Sequence, residues 1–324
     1  MEQAQPATSF DVASRAGVSR STVSRIINGK GSRFPESTQL RVREAAEALD
    51  YQPSLAARAL VSGRSDTVVV VLPNTTFGRN LQDAVDRMMV GAMPVGGNVV
   101  VRFAGPTSEA TLAALMALRP LAVVDFGVLT SFQKQQLEQR GTITVPSSGS
   151  DVPDTGDGGI GELQASVLLK EAYRPLWYAS LEDEREDIYG PRRLLALQTY
   201  CARNGFPSPG EVSVSLTVAD GALAVEHILS GGRSAAVACY NDDVALTLLA
   251  GARSRGVKVP HRLSVIGVDN TFVGQLWDPP LTTIDTDLGG FVDYLARELR
   301  GRLSGSILPD LSYPRFTIVA GGTT

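Results

Sequence analysis

Hydrogen-bond donors line one face of a predicted helix near the amino end of the chain. The segment RSTVSRIIN at 20–28 carries on this face a set of side chains with no acidic member, namely Arg20, Ser21, Ser24, Arg25 and Asn28. Apolar Val23, Ile26 and Ile27 recur at helical spacing on the opposite face, which is therefore predicted to be buried. Arginine can donate two hydrogen bonds to guanine, and short hydroxyl and amide groups suit phosphates or base edges. The pattern predicts a helix that enters the major groove of DNA, and a solvated basic helix face is the alternative.

Two short helices and a tight turn are predicted to position this face. Thr8 can cap the first helix, and Asp11 adds a carboxylate near its positive end. Gly17 supplies the left-handed residue that ends this helix, and Ser19 can cap the helix that carries the donors. The turn glycine, both caps and the clean separation of polar and apolar faces together favour DNA binding over a solvated face.

Two further helical segments are predicted before the main body of the chain. Residues 36–50 form a third helix, whose apolar positions close a three-helix core. The segment from Pro53 to Gly63 can form only about two helical turns, a length that is marginal in water. This segment is therefore expected to be disordered or loosely helical until something packs against it.

Strands and helices alternate from Asp66 onward. The run TVVVVLP at 67–73 is typical of a strand that is buried on both faces of a parallel sheet. The segment PSSGSDVPDTGDGG, rich in Gly, Ser and Asp, separates a first series of strands and helices from a second series. The alternation predicts two lobes, each a parallel sheet with helices on both faces. A strand over 314–319 is predicted to join the second lobe.

Several motifs of this chain resemble those of the LacI (lactose repressor) family of bacterial transcription factors. DVASRAGVSRSTVSRIINGKG and YQPSLAARAL match the family's helix-turn-helix and hinge, and YNDDVA, LSVIGVDN and DPPLTTI match motifs of its core. The resemblance covers nearly the whole chain. It implies an N-terminal three-helix helix-turn-helix headpiece and a two-lobed α/β core with parallel sheets, similar to the type I periplasmic binding proteins.

The resemblance also implies where the domains begin and end. The headpiece, the hinge helix with its linker, and the effector-binding core are expected at 1–52, 53–65 and 66–324. Each lobe of the core is expected to contain two stretches of chain. These are about 66–147 and 287–304 for lobe one, and about 148–284 and 305–324 for lobe two.

The helix pattern and the resemblance together assign roles in DNA binding. The residues expected to read base edges are Arg20, Ser21 and Arg25. The residues expected to bind phosphates are Thr8, Ser19, Thr22, Ser24 and Asn28. In the hinge, Ala57 and Leu60 are implied to enter the minor groove, where Leu60 would open a base step and kink the duplex. A linker leucine buried against the core is the alternative for Leu60.

Polar side chains of the core are candidates for a ligand site between the lobes, because ligands of open α/β sheets bind beyond the carboxyl ends of the strands. By spacing and by resemblance, the effector-binding candidates are Asn74, Asp157, Arg193, Asn241, Asp269 and Trp277. Carboxylate, guanidinium and amide groups can bind vicinal hydroxyls, which favours a sugar or a related polyol as the effector.

Structural alternatives exist for these candidates. Asp157 and Asn241 could serve only as helix caps. Arg193 could pair with an acidic neighbour on a helix surface, and Trp277 could pack at the hinge between the lobes. Departures from the family pattern, such as Asn74 where an aspartate is common, leave open a member that regulates transcription without a small-molecule effector.

Composition and charge indicate which part of the chain binds DNA and whether disulfides or metal sites are expected. Residues 1–64 contain nine Lys or Arg and six Asp or Glu, a balance of +3, whereas the other 260 residues contain 21 and 28, a balance of −7. A basic head on an acidic body is expected when only the head meets DNA. Cys201 and Cys239 lie in apolar contexts and are expected to be buried free thiols, so neither a disulfide framework nor a metal site is predicted.

An enzyme and a solute-binding module are the alternatives from other classes. His227 and His261 lack a Ser or Cys partner at a recognisable spacing, and no phosphate-binding loop is present, so neither a catalytic residue nor a cofactor is predicted. Because the sequence shows neither a signal-peptide pattern nor a membrane-spanning run, we expect a cytoplasmic protein with no membrane partner. We expect a homodimeric repressor that binds a pseudo-palindromic double-stranded DNA operator under the control of a small-molecule effector.

Overall fold

The chain divides into two compact units. The structure is a computed structural model, and it describes residues 7–27, 29, 31–51, 65–74, 85–89, 98–149, 158–170, 174–183, 189–306 and 315–324. The first unit comprises Met1–Asp66 and Leu118–Leu121, and the second comprises Thr67–Ala117 and Ala122–Thr324. Except for Ser65, the predicted hinge and linker lie outside the described residues. Within the described part of the chain, no helix has the length and apolar character needed to cross a membrane.

Three short helices form the core of the first unit. They are α1 (Ser9–Ala16), α2 (Arg20–Ile27) and α3 (Glu36–Ala48). Their apolar faces meet through small and β-branched side chains, namely Val12, Ala13, Ala16, Val23, Ile26, Val42, Ala45 and Ala46. Gly17, with φ of 66°, ends α1 in the left-handed region, so that α2 can begin three residues later. The predicted helix-turn-helix and third helix are confirmed.

The second unit contains two four-stranded parallel sheets, one in each lobe. The lobe-one sheet has the order β2-β1-β3-β4, with β1 (Thr67–Leu72), β2 (Asn98–Phe103), β3 (Ala122–Asp125) and β4 (Ile143–Val145). Helices α4 (Ser108–Leu118) and α5 (Ser131–Glu138) cover one face, and the later helix Leu288–Ser304 covers the other. Alternate residues of β1 face these two layers, which explains why β1 is apolar throughout.

The lobe-two sheet repeats this arrangement, with the order β6-β5-β7-β8. Its strands are β5 (Leu176–Leu181), β6 (Gly210–Val214), β7 (Ala235–Cys239) and β8 (Leu263–Ile266). Its helices are α6 (Gly158–Leu168), α7 (Gly190–Arg203), α8 (Val218–Ile228), α9 (Asp242–Ser254) and α10 (Phe272–Leu276). The lobe-one helix Leu288–Ser304 is therefore α11 in chain order.

Two strands near the carboxyl end differ from the prediction. β9 (Thr283–Asp285) and β10 (Thr317–Val319) pair antiparallel as a separate two-stranded sheet. We predicted that the later strand would join the second lobe, and it pairs with β9 and not with the four-stranded sheet of that lobe. The free edge of β8 is already occupied by other segments. Ile266 pairs with Thr282, and Val265 N donates to Thr323 O at 2.8 Å. α10 and β9 were not predicted, because five and three residues are too short to show a period.

Candidate functional site

The polar face of α2 is exposed and carries the side chains predicted to read bases. Arg20, Ser21 and Arg25 are exposed, whereas Val23 and Ile26 are buried in the three-helix core. The first turn of α2 contains no acidic residue. The structure therefore brings the three predicted base-reading side chains together on one accessible surface.

Hydroxyl groups cluster at the amino end of α2. Ser19 Oγ accepts a hydrogen bond from Thr22 N at 3.2 Å and lies 2.9 Å from the hydroxyls of both Ser21 and Thr22. Ser19 is therefore in the predicted capping position. A helix amino end surrounded by hydroxyl donors is suited to bind an anion such as a phosphate. Ser24, half-buried, is one turn farther along, and Asn28 lies outside the described residues.

Thr8 is exposed and forms the predicted cap of α1 together with Asp11. The backbone N and the hydroxyl of Thr8 donate to Asp11 Oδ2 at 2.8 and 2.7 Å. These hydrogen bonds lower the pKa of Asp11, so the carboxylate is stabilised at the positive end of the helix. Thr8 thus fixes the start of α1, and any contact with a phosphate would be additional to this role.

The order of the strands predicts where a ligand site lies in the second unit. In each lobe the chain winds in opposite directions from the central pair of strands, which is β1 with β3 in lobe one and β5 with β7 in lobe two. Open α/β sheets form a crevice at the carboxyl ends of such a pair, and ligands bind there. Asn74, exposed after β1, and Asn241, buried after β7, lie at these ends as predicted.

Arg193 is buried on α7 and contacts two aromatic rings. Its guanidinium carbon lies 5.1 Å from the ring centre of Tyr240 and 5.6 Å from that of Tyr189, and Nη1 donates to the backbone oxygen of Tyr240. Only 6% of the residue is exposed. The alternative, in which Arg193 pairs with an acidic neighbour on a helix surface, is therefore wrong. Its charge is held close to the carboxyl end of β7, where a ligand would bind.

The turn after β7 contains a capping amide and a buried acid. Asn241 Oδ1 accepts from Val244 N at 3.0 Å, so Asn241 caps α9, as its structural alternative states. Asp242 accepts from Thr283 Oγ1 at 2.5 Å and from Thr271 N and Oγ1 at 2.6 and 2.9 Å. Burial raises the pKa of Asp242 to about 7 in spite of these donors.

The remaining candidates of lobe two follow β8 and α10. Asp269 has φ of 102°, a backbone conformation that is uncommon for a residue other than glycine, and its N donates to Ile284 O at 2.8 Å. Its charge contributes to the raised pKa of Asp242. Trp277 is half-buried and packs against the lobe-two core. Asp157 lies outside the described residues.

Two features of the crevice were missed in the sequence. Asp125, at the end of β3, is buried and accepts from two backbone N–H groups of the next turn and from Lys134 Nζ at 3.0 Å. An acid that ends a buried apolar strand was the available signal for this ion pair. Tyr189 donates from its hydroxyl to Phe126 O at 3.4 Å, across the crevice, and no local pattern marks it.

Comparisons with known proteins agree with the two-unit structure. Residues 10–54 match the family of bacterial regulatory proteins called the lacI family, and residues 165–324 match a periplasmic binding protein-like domain. The HTH-type transcriptional repressor PurR of Vibrio parahaemolyticus is 30% identical over 298 residues, which is 86% of each chain. The HTH-type transcriptional regulator GalR of Escherichia coli K12 is 28% identical and covers 86% of this chain and 84% of its own.

Solved structures have the same fold at lower sequence identity. A Lac repressor dimer bound to operator and the anti-inducer ONPF has a TM-score of 0.72 at 22% identity, covering 98% of this chain and 99% of its own. A LacI family regulator from Silicibacter pomeroyi has a TM-score of 0.81 at 21% identity, with the same coverage. A helix-turn-helix unit followed by a two-lobed α/β unit defines a class of bacterial transcription regulators. Within that class, the chain belongs to the LacI family.

Proposed function

We propose that this protein is a transcriptional repressor that binds a pseudo-palindromic DNA operator as a homodimer and is controlled by a small molecule in the crevice between its lobes. The observation that carries the proposal is the exposed face of α2, whose described residues include arginine and hydroxyl side chains and no acidic one, held by a closed three-helix core. Arg20, Ser21 and Arg25 on this face have the geometry and chemistry needed to read base edges in a major groove. Similar chains such as PurR are named transcriptional repressors.

Phosphate contacts would fix the orientation of the headpiece on the duplex. The residues proposed for this role are Thr8, Ser19, Thr22, Ser24 and Asn28. The hydroxyl cluster at the amino end of α2 supports the role of Ser19 and Thr22, because a helix amino end attracts anions. For the hinge we propose that Ala57 and Leu60 contact the minor groove, on the basis of the sequence resemblance alone.

An exposed apolar surface on α10 supports the homodimer. Phe272, Val273 and Leu276 lie on this five-residue helix and are 64%, 59% and 68% exposed. Contiguous apolar side chains of this size at a surface mark sites of protein association. A second copy of the chain is the partner we propose, since an operator with twofold symmetry needs two headpieces. The similar Lac repressor structure is described as a dimer.

A sugar or a related polyol is the effector that the crevice favours. Its proposed contacts are Asn74, Asp157, Arg193, Asn241, Asp269 and Trp277. A similar regulator, CelR, was solved as a cellobiose complex, with a TM-score of 0.60 at 21% identity. A regulator without an effector is the second candidate. The specific observation in its favour is that the Arg193 guanidinium already contacts Tyr189 and Tyr240 of its own lobe.

The relatives of this chain are transcription regulators, and we propose no catalytic activity for it. A protein that binds bacterial operator DNA acts in the cytoplasm, and this is the location we propose. The arrangement of the crevice offers ligand contacts, and the proposed regulation requires only that ligand binding alter the position of the two headpieces.

Replacement of one arginine of α2 tests the proposal. A duplex that binds the full-length protein is first selected from a random library. On this duplex, Arg25→Ala is expected to weaken binding by about 1–3 kcal/mol, because a bidentate contact to guanine is lost. Arg43→Ala removes an arginine of α3 that is also exposed, and it serves as the control. If both variants lose the same affinity, or if Arg25→Ala weakens random DNA equally, the base-reading role is wrong.

A further inference from the structure

Tyr189 forms a hydrogen bond between the two lobes. Its hydroxyl donates to the backbone oxygen of Phe126 at 3.4 Å. Tyr189 precedes α7 and packs against the lobe-two core, whereas Phe126 follows β3 and belongs to the lobe-one core. The bond therefore spans the crevice in which the effector is proposed to bind.

Aromatic contacts fix both ends of this bond. The buried Phe126 ring meets Phe291 of α11 edge to face, with ring centres 5.6 Å apart and an angle of 89°. On the other side, the Tyr189 ring lies beside the guanidinium of Arg193, which is one turn farther along α7 and also contacts Tyr240. A cation next to an aromatic ring is attracted to its face, so the position of Arg193 and that of the Tyr189 ring depend on each other.

We propose that Tyr189 is a positioning residue that couples the conformation of Arg193 to the closure of the two lobes. The inference rests on the proposed function, in which Arg193 binds the effector. A ligand that binds the guanidinium competes with its contacts to Tyr189 and Tyr240. A change in the position of the Tyr189 ring also changes the bond from its hydroxyl to Phe126, and with it the contact between the lobes. Because such coupling is reciprocal, closure also favours the orientation of Arg193 in the structure.

The hydroxyl and the ring of Tyr189 can be separated by substitution. Tyr189→Phe keeps the ring beside Arg193 and removes the hydroxyl that donates to Phe126. Tyr200→Phe is a matched control, since Tyr200 lies on α7, the helix that Tyr189 precedes, and is also partly buried in lobe two. Arg193→Met leaves the Tyr189 hydroxyl in place but removes the cation that holds its ring.

The distance between the lobes is the quantity to measure. Spin labels at Gln135→Cys in lobe one and Ala202→Cys in lobe two occupy exposed positions, whereas the natural cysteines are buried. Pulsed electron resonance on ligand-free, full-length protein, diluted with unlabelled chain, gives the distance distribution within one molecule. Unmutated protein treated with the label controls for reaction of the buried thiols.

Tyr189→Phe is expected to lengthen the distance between the lobes by about 2 Å or more, with little change in the thermal unfolding midpoint. Arg193→Met is expected to shift the distance in the same direction, and Tyr200→Phe is expected to leave it unchanged. The inference is overturned if Tyr189→Phe gives the same distribution as Tyr200→Phe. An unchanged distance in Arg193→Met overturns the coupling to Arg193.

This measurement is independent of DNA binding. It uses neither an operator nor an effector, so a loss of the Tyr189 effect says nothing about the role of α2. Conversely, a failure of the Arg25→Ala experiment would overturn the proposed function and leave the bond between the lobes as a property of the fold.

Discussion

Asp242 connects three elements of lobe two through one buried carboxylate. It lies in the first turn of α9 and accepts hydrogen bonds from Thr271, the cap of α10, and from Thr283 of β9. A Cβ on Gly267 would lie 2.1 Å from Asp242 Oδ1, so only glycine leaves room for this carboxylate after β8. The acid therefore fixes the chain around Asp269, which is a proposed effector contact.

The raised pKa of Asp242 predicts a specific dependence of stability on pH. Its folded pKa of about 7 lies above the ordinary aspartate value of 3.8, so between these two pH values the folded state binds more protons than the unfolded state. The free energy of unfolding should therefore fall as pH rises from about 4 to about 7, by up to about 1.4 kcal/mol per pH unit from this group. Asp242→Asn should remove this contribution.

Urea unfolding at several pH values measures this pH dependence of the free energy of unfolding. Both tryptophans of the chain, Trp177 and Trp277, belong to lobe two, so their fluorescence follows the lobe that contains Asp242. Asp243→Asn is the matched control, because burial also raises the pKa of Asp243 but no described side chain ties it to α10 and β9. The account of Asp242 is contradicted if Asp242→Asn keeps the pH dependence of the unmutated protein.

Some single-residue properties were predictable and others were not. The exposure of Arg20 and Arg25 followed from the helical period, because residues opposite a buried stripe must face solvent. The burial of Arg193 did not, since it depends on Tyr240, which is 47 residues away in the chain. Asp242 matched a family motif, but its raised pKa comes from burial, and the donors that hold the buried carboxylate lie 29 and 41 residues farther along the chain.

At the level of elements, close packing of α8 on α9 shapes lobe two. A Cβ on Gly221 would lie 2.3 Å from the backbone oxygen of Thr247, and a Cβ on Gly251 would lie equally close to the backbone carbon of Gly221. Backbone atoms cannot move aside as a flexible side chain can. The two helices therefore approach each other only because both contact positions are glycine.

Gly221→Ala is expected to destabilise lobe two by about 1–2 kcal/mol. Overpacking typically costs about 1–3 kcal/mol, and the higher helix propensity of alanine offsets at most about 1 kcal/mol of this loss. Gly231→Ala is the matched control, since an added Cβ there meets nothing within 4 Å. Tryptophan fluorescence in a urea titration measures both variants. Equal midpoints for Gly221→Ala and unmutated protein would contradict the packing argument.

Element prediction from the sequence succeeded where the pattern was long and local. The strand predicted at 67–73 is observed at Thr67–Leu72, and the helix predicted at 36–50 is observed at Glu36–Ala48. The antiparallel pairing of β10 with β9 was not predicted, because it joins segments about 30 residues apart through backbone bonds alone. The exposed apolar surface of α10 was missed because this helix is shorter than two turns.

At the level of the whole molecule, the two units differ in net charge and in topology. The amino-terminal 64 residues carry a balance of +3 and the remainder one of −7, so the negative backbone of DNA attracts the first and repels the second. The repeated strand order places the central pair of strands at equivalent positions in the two lobes, and the carboxyl ends of both pairs border the proposed ligand site. The two lobes were predictable from the strand–helix alternation, whereas the bond of Tyr189 across the crevice required the structure.

Binding of the full-length protein to a symmetric duplex is the decisive test of whether α2 recognises an operator. A duplex selected from a random library is compared at fixed salt concentration with the same duplex after both half-sites are scrambled. We predict at least about a thousandfold tighter binding to the selected duplex, with two chains per duplex and related sequences in its two halves. Equal affinity for the selected and the scrambled duplex would contradict the claim that α2 reads DNA.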